Sequence, residues 1–243
     1  MTYVDHERWS REIEHPDWYL RLRDEYLKLL ARARISPRPT ARAIADEVYG
    51  FFEDALERKT IALAETGPDW DAERQHIDTI VLHHTGLDPG TTISRIEAIH
   101  LTRIYASYYT DPALADRAIR GTGIHSGHRR AGRQVFYCYH WLIRPDGTRE
   151  RLLQDHETGW HAGDWNANCR SVAICLDDNL THQPPTRAAI NAITNLLNTQ
   201  YTAVSAPRVL GHREINPRTN CPGNRLADWR PQILDALTPS STR

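Results

Sequence analysis

The sequence predicts an α/β fold, a mixed central β-sheet flanked by helices, with a helical N-terminal extension. Three observations predict it. Before residue 75 apolar residues recur with a helical period and strand signals are nearly absent. After it, strand-like and helix-like segments alternate, the order expected when helices cover the faces of a sheet. A chain of 243 residues, 40% hydrophobic and 25% charged, also has the length for one full domain plus a smaller appendage. The expected division is a helical hairpin over 1–70, a principal domain over 76–237 and a flexible tail over 238–243.

Taken in order, Leu22, Tyr26, Leu29, Leu30 and Ala33 fall on one stripe of a helix starting near Tyr19. The prolines of ISPRPT break it, and Thr40 is the expected N-cap of the next helix. That helix repeats the stripe at Ile44, Val48, Phe51, Phe52 and Ala55, and ETGPDWDAERQ follows as a linker. HIDTIVLHH, with period two and a β-branched centre, reads as a strand. Ser94 and Glu97 form a capping-box pattern ahead of a helix bearing Ile96, Ile99 and Ile104. VFYCYHWLI, the turn RPDG and TRERLLQ read as a hairpin, and SVAICLD as another strand. Thr186 is expected to cap a helix with Ala189, Ile190, Ile193, Leu196 and Leu197. A short strand in APRVLG, a last helix from Leu226 to Leu237 and a frayed TPSSTR complete the chain.

A formal net charge of -1 supplies no global attraction to polyanions, so no nucleic-acid partner is expected. No stretch approaches the ~20 apolar residues of a spanning helix, so no membrane span is expected. The first twenty residues hold no apolar signal core. The expectation is a protein cytoplasmic as synthesised, with any later delivery by a non-Sec route. Cys138, Cys169, Cys175 and Cys221 are too few and too scattered for a disulfide framework, which leaves buried thiols or metal ligands.

The chemistry-bearing residues are histidines and one cysteine. His83 and His84 end the strand IVLHH and point to opposite faces, so only one can join a given site; alternation does not say which. LGHREINPRTNCPG sets His212 and Cys221 nine positions apart. Two histidines and a thiolate, with a fourth position left for water, make a donor set for hydrolytic zinc. The plainer alternative is a strand-end histidine, a loop histidine and a free thiol.

IVLHHTG, FYCYHWLIRPDGT, GWHAG, NCRSVAICL and LGHRE…TNCPG, in that order across 76–230, resemble the type 2 N-acetylmuramoyl-L-alanine amidases. That group includes phage lysozyme-type amidases and the peptidoglycan recognition proteins. The resemblance implies their fold, one catalytic zinc held by His83, His212 and Cys221, and catalytic roles for Tyr139 and Thr219. It further implies substrate contacts from His84, Trp160, His161 and Asn168, with peptidoglycan or a muropeptide as substrate. The implied reaction is hydrolysis of the amide between N-acetylmuramic acid and L-alanine, with zinc activating water and polarising the carbonyl. Tyr139 would hydrogen-bond the developing oxyanion.

Two other readings stand beside it. One is a recognition protein that binds peptidoglycan without cutting it, a role associated in the family with loss of the metal cysteine present here. The other is a zinc peptidase acting within the stem peptide. The chain departs from the family pattern in two places. The spacing from His212 to Cys221 is one residue longer than in many members, and Cys175 stands where cytosolic recycling members carry a glutamate. Glu214 is expected to support the fold behind His212. His125, His128 and His140 take ordinary structural readings, as do Cys138, Cys169 and Cys175. Residues 110–134 are expected as a loop edging the substrate groove. The N-terminal helices are assigned a packing face, with a partner or regulatory role open to them.

Overall fold

The computed structural model describes residues 2–113 and 119–237. The tail expected over 238–243 lies outside the described residues, as does 114–118 within the expected groove loop. The helices are α1 (His6–Glu12), α2 (Trp18–Ile35), α3 (Arg38–Arg58), α4 (Ile93–His100), α5 (Ala106–Thr110), α6 (Trp165–Arg170), α7 (Arg187–Gln200), α8 (His212–Ile215) and α9 (Leu226–Asp235). The strands are β1 (Thr79–His84), β2 (Arg129–Arg130), β3 (Arg133–Gln134), β4 (Trp141–Ile143), β5 (Arg149–Arg151), β6 (Ser171–Leu176) and β7 (Val209–Gly211). The chain divides into two compact units: Met1–Asp69 with Thr92–Phe136, and Trp70–Thr91 with Tyr137–Arg243.

The first unit is helical. The predicted stripes of α2 and α3 supply Leu22, Tyr26, Ile44, Val48 and Phe52 to its core. Trp9 and Trp18 join them, with ring centroids 5.8 and 5.4 Å from Phe52. α3 starts at Arg38, with Pro37 at its cap and Pro39 in the first turn, earlier than a Thr40 cap would allow. A proline fits there because the first helical N–H groups have no intrahelical acceptor. α4 is likewise capped by Thr92, whose hydroxyl accepts from the Arg95 N–H at 3.1 Å. Glu97 is instead buried, accepting from Arg133 at 2.6 Å and from the Phe136 N–H at 3.1 Å. The segment expected as one loop over 110–134 carries a short β2–β3 ladder. It is tied to the N-terminal stretch by the Ala64 N–H donating to Ile124 at 3.1 Å.

The second unit is built on a five-stranded sheet ordered β5-β4-β6-β1-β7. β1 runs parallel to both β6 and β7, β4 runs parallel to β6, and β5 is antiparallel to β4. This is the mixed sheet expected. All six residues of β6 are buried, as the unbroken apolar run SVAICL requires of a central parallel strand. Only Trp141–Ile143 of VFYCYHWLI joins the ladder. One face of the sheet packs Ile80, Leu82, Ile174 and Leu176 against Ile190, Ile193 and Leu197 of α7 and Trp229 and Ile233 of α9. Among the described residues no helix is long and apolar enough to cross a membrane.

Candidate metal centre

Three parallel strands end beside one another; His83 lies at the end of β1, and His212 follows β7 directly. Ile80 and Leu82 belong to the core on the α7 side, so alternation turns His83 to the opposite face. In register, His83 lies beside Cys175 of β6, and Leu82 lies beside Gly211 of β7. The chain passes directly from Gly211 into α8, whose first residue is His212. A Cβ at Gly211 would run into Leu226 and Pro222, so glycine lets β7 close onto this turn. Glu214 accepts the Gly211 N–H at 2.6 Å and pairs with Arg230, bracing the strand-to-helix step.

Cys221 returns to His212 through a compact loop. The Arg213 N–H donates to the Cys221 carbonyl at 2.9 Å, and the Thr219 N–H to Asn216 at 3.2 Å. Thr219 Oγ1 accepts the Cys221 N–H at 3.1 Å. The long spacing between His212 and Cys221 is therefore taken up in a turn at Asn216–Thr219. In that turn the Thr219 hydroxyl holds the cysteine's own backbone.

The donor atoms of His83, His212 and Cys221 all lie within 4.8 Å of one another. Cys221 Sγ is 3.6 Å from His83 Nδ1, and the two imidazole centroids are 4.6 Å apart. His212 Nε2–H donates to the Ala162 carbonyl at 3.1 Å, leaving Nδ1 to serve as the donor. Burial lowers the His212 pKa and keeps the ring neutral. Burial also pushes the Cys221 thiol up to about 12, opposed by the His84 backbone N–H directed at the sulfur from 3.4 Å. Two imidazoles and a thiol converging on one point suit a borderline-soft divalent cation such as zinc, which displaces the thiol proton on binding.

Tyr139 is half-buried beside this cluster, its ring centroid 5.1 Å from that of His83. Burial holds its phenol well above the ordinary range, and Cys175 lies in register beside His83 on the neighbouring strand. Cys175, read from sequence as an inert thiol, is thus a neighbour of the site. His140, next in the chain, is fully buried. It accepts the Ala173 N–H at Nδ1 (3.1 Å) and donates from Nε2 to the Glu157 carbonyl (3.0 Å).

The four residues expected at the substrate are each held by the protein's own groups in the structure. His161 is buried, with Nδ1 3.0 Å from His83 Nε2 and Nε2 3.1 Å from Ser171 Oγ. Both ring nitrogens are engaged, which puts it behind His83 and away from substrate. Asn168 is buried too, its Oδ1 accepting the N–H groups of His161 (3.1 Å) and Ala162 (2.8 Å). Trp160 is 6% exposed and packs edge-on to Trp70, with centroids 5.0 Å apart, so it is a core aromatic and no stacking platform. His84 accepts the Leu180 N–H at Nδ1 (3.0 Å), and burial lowers its pKa to about 4.

Ser171 and the Ala162 carbonyl were not singled out from sequence. Ser171 left one faint signal, a polar residue opening an otherwise apolar buried strand; the carbonyl left none. His125 lies in the other unit, its Nδ1 3.3 Å from the Ala64 carbonyl. His128 is buried in that same unit.

A family model described as N-acetylmuramoyl-L-alanine amidase matches residues 73–224. Among curated proteins the chain is similar to the 1,6-anhydro-N-acetylmuramyl-L-alanine amidase AmpD of Haemophilus influenzae. The two are 26% identical over 104 residues, which span 40% of this chain and 56% of that protein. The chain therefore aligns with little more than half the length of that relative. Among solved structures it is similar to the N-acetylmuramoyl-L-alanine amidase LysC of Clostridium intestinale (22% identity, TM-score 0.44, covering 69% of this chain and 90% of that one). It is also similar to Drosophila peptidoglycan recognition protein SD (18% identity, TM-score 0.41, covering 67% and 83%).

Proposed function

This chain belongs to the N-acetylmuramoyl-L-alanine amidase family, and from that premise we propose that it is a zinc-dependent amidase. Its substrate is the amide joining the lactyl group of N-acetylmuramic acid to the L-alanine of the stem peptide, in peptidoglycan or in muropeptides. The observation that carries the proposal is the convergence of His83, His212 and Cys221 donor atoms within 4.8 Å of one another, beside Tyr139.

Bound zinc supplies a Lewis acid for the scissile carbonyl and lowers the pKa of a water nucleophile. The remaining work belongs to the protein. Burial keeps His212 neutral, so its lone pair remains available for a metal. Tyr139, with its phenol held well above the ordinary range, stays a hydrogen-bond donor at neutral pH. It is placed to hydrogen-bond the oxygen on which charge develops. A donor of this kind contributes on the order of 10²–10³ in kcat. The same phenol can relay a proton to the leaving amine. Thr219 holds the Cys221 backbone and so sets where the sulfur sits. The presence of Cys221 and Tyr139 together favours cleavage over binding alone.

Metal analysis combined with a release assay tests this. The expected result is one zinc per chain and free stem peptide with an L-alanine N-terminus. Binding of peptidoglycan without release would support the recognition-protein reading instead. Comparing intact sacculi with soluble muropeptides then defines the natural substrate.

A further inference from the structure

Two adjacent residues, His161 and Ala162, touch both candidate histidine ligands from behind, and their hydrogen bonds have a fixed direction. The Ser171 hydroxyl donates to the Ala167 carbonyl at 2.6 Å. A hydroxyl has one proton, so at its 3.1 Å contact with His161 Nε2 the oxygen accepts. His161 therefore carries its proton on Nε2 and presents a lone pair at Nδ1. That lone pair faces His83 Nε2 at 3.0 Å, so His83 also carries its proton on Nε2. The His83 lone pair is left on Nδ1, the atom 3.6 Å from Cys221 Sγ. Reversing the chain would have Ser171 release Ala167 and would put a proton on His83 Nδ1, where a metal must bind. The adjacent residue completes the arrangement, since the Ala162 carbonyl accepts His212 Nε2–H at 3.1 Å. Asn168 Oδ1 pins both His161 and Ala162 by their N–H groups.

We infer that His161 is a positioning residue which, through the Ser171–His161–His83 relay, locks His83 in the tautomer that offers Nδ1 to the metal. The inference rests on the zinc reading of the site and extends it to a residue that touches neither substrate nor metal. It makes His161–Ala162 a single strut, orienting one ligand through a side chain and the other through a carbonyl. Loss of an outer partner of a metal-ligating histidine typically weakens metal affinity ~10–100-fold. A leucine at 161 removes the acceptor, whereas an asparagine keeps an acceptor oxygen near the place of Nδ1.

The test uses the full chain with ¹⁵N-labelled histidine and titration with Zn²⁺ alone. In the zinc-free wild type, long-range ¹⁵N–¹H correlation should show His83 and His161 both as Nε2–H tautomers. His161→Leu should mix the His83 tautomers and raise the zinc Kd ~10–100-fold, and His161→Asn should recover most of the affinity. Ser171→Ala, a smaller change that keeps the test available should His161→Leu fail to fold, should weaken zinc in the same direction. An Nδ1–H tautomer at His83 in the zinc-free wild type overturns the inference. So does zinc binding as tight as wild type in folded His161→Leu, or in Ser171→Ala should His161→Leu not fold. A wild type that binds no zinc overturns the metal reading itself, a separate result, because the tautomer is read without metal.

Discussion

Cys221 Sγ lies 3.6 Å from His83 Nδ1 although 138 positions separate the two residues in the chain. The contact exists because β1 ends at the level where β7 passes into α8, and a turn held by Thr219 carries the cysteine back. Removing the sulfur removes one of three donors. Cys221→Ala should therefore lower zinc affinity by more than the ~10–100-fold expected for an outer partner. Equilibrium dialysis against a weak chelator with elemental analysis reads this, and full zinc occupancy in the variant would remove Cys221 from the ligand set.

Tyr139→Phe keeps the ring against His83 and deletes only the phenol O–H. Its zinc content should match wild type while kcat falls ~10²–10³-fold, with a much smaller change in KM. Unchanged kcat would show that oxyanion stabilisation comes from elsewhere.

His100 is buried in the helical unit, its Nδ1–H donating to the Phe136 carbonyl at 3.1 Å. Burial lowers its pKa from 6.5 to about 4. Between those values the unfolded chain binds a proton that the folded chain does not. Stability is thus fully present above pH 6.5 and is lost as pH falls toward 4, by on the order of 3 kcal/mol. Asparagine at this position keeps a donor and cannot titrate. His100→Asn should flatten the fall in denaturant midpoint between pH 6.5 and 4; equal slopes in the two proteins would contradict this.

Glu97 shows where local pattern and tertiary structure part. Its spacing from Ser94 reads as a capping box, yet Thr92 caps α4 and Glu97 pairs with Arg133 inside the unit. Glu97→Ala should destabilise by ~1–3 kcal/mol, because it strips the buried Phe136 N–H of its acceptor, and Thr92→Ala by ~1 kcal/mol. Ser94→Ala should stay within ~0.5 kcal/mol. Urea unfolding of the three variants ranks them, and a Ser94 effect equal to that of Thr92 would restore the sequence-based cap.

These cases mark what was legible before the structure. SVAICL announced itself because a strand buried on both faces is apolar throughout, and IVLHH did so by its period-two alternation. The stripes of α2 and α3 did so because a helix with one buried face repeats at its own period. His83 could not be separated from His84 by alternation, which gives opposite faces and no absolute direction; pairing with β6 and β7 supplies that direction. VFYCYHWLI looked like one long strand, but the ladder extends only where β6 and β5 offer partners. The roles of His161, Asn168 and Ser171 depend on a loop folding back over β6. Their acceptors and donors are partly backbone groups, which every sequence has and no sequence labels.

The most direct test of the account is mass spectrometry of a muropeptide digest by zinc-loaded wild-type protein of measured metal content. Two products are expected: an intact stem peptide with free L-alanine at its N-terminus, and a muramic acid sugar with a free lactyl carboxylate. Fragments cut within the stem peptide, or tight binding with no product from protein carrying one zinc, would contradict it.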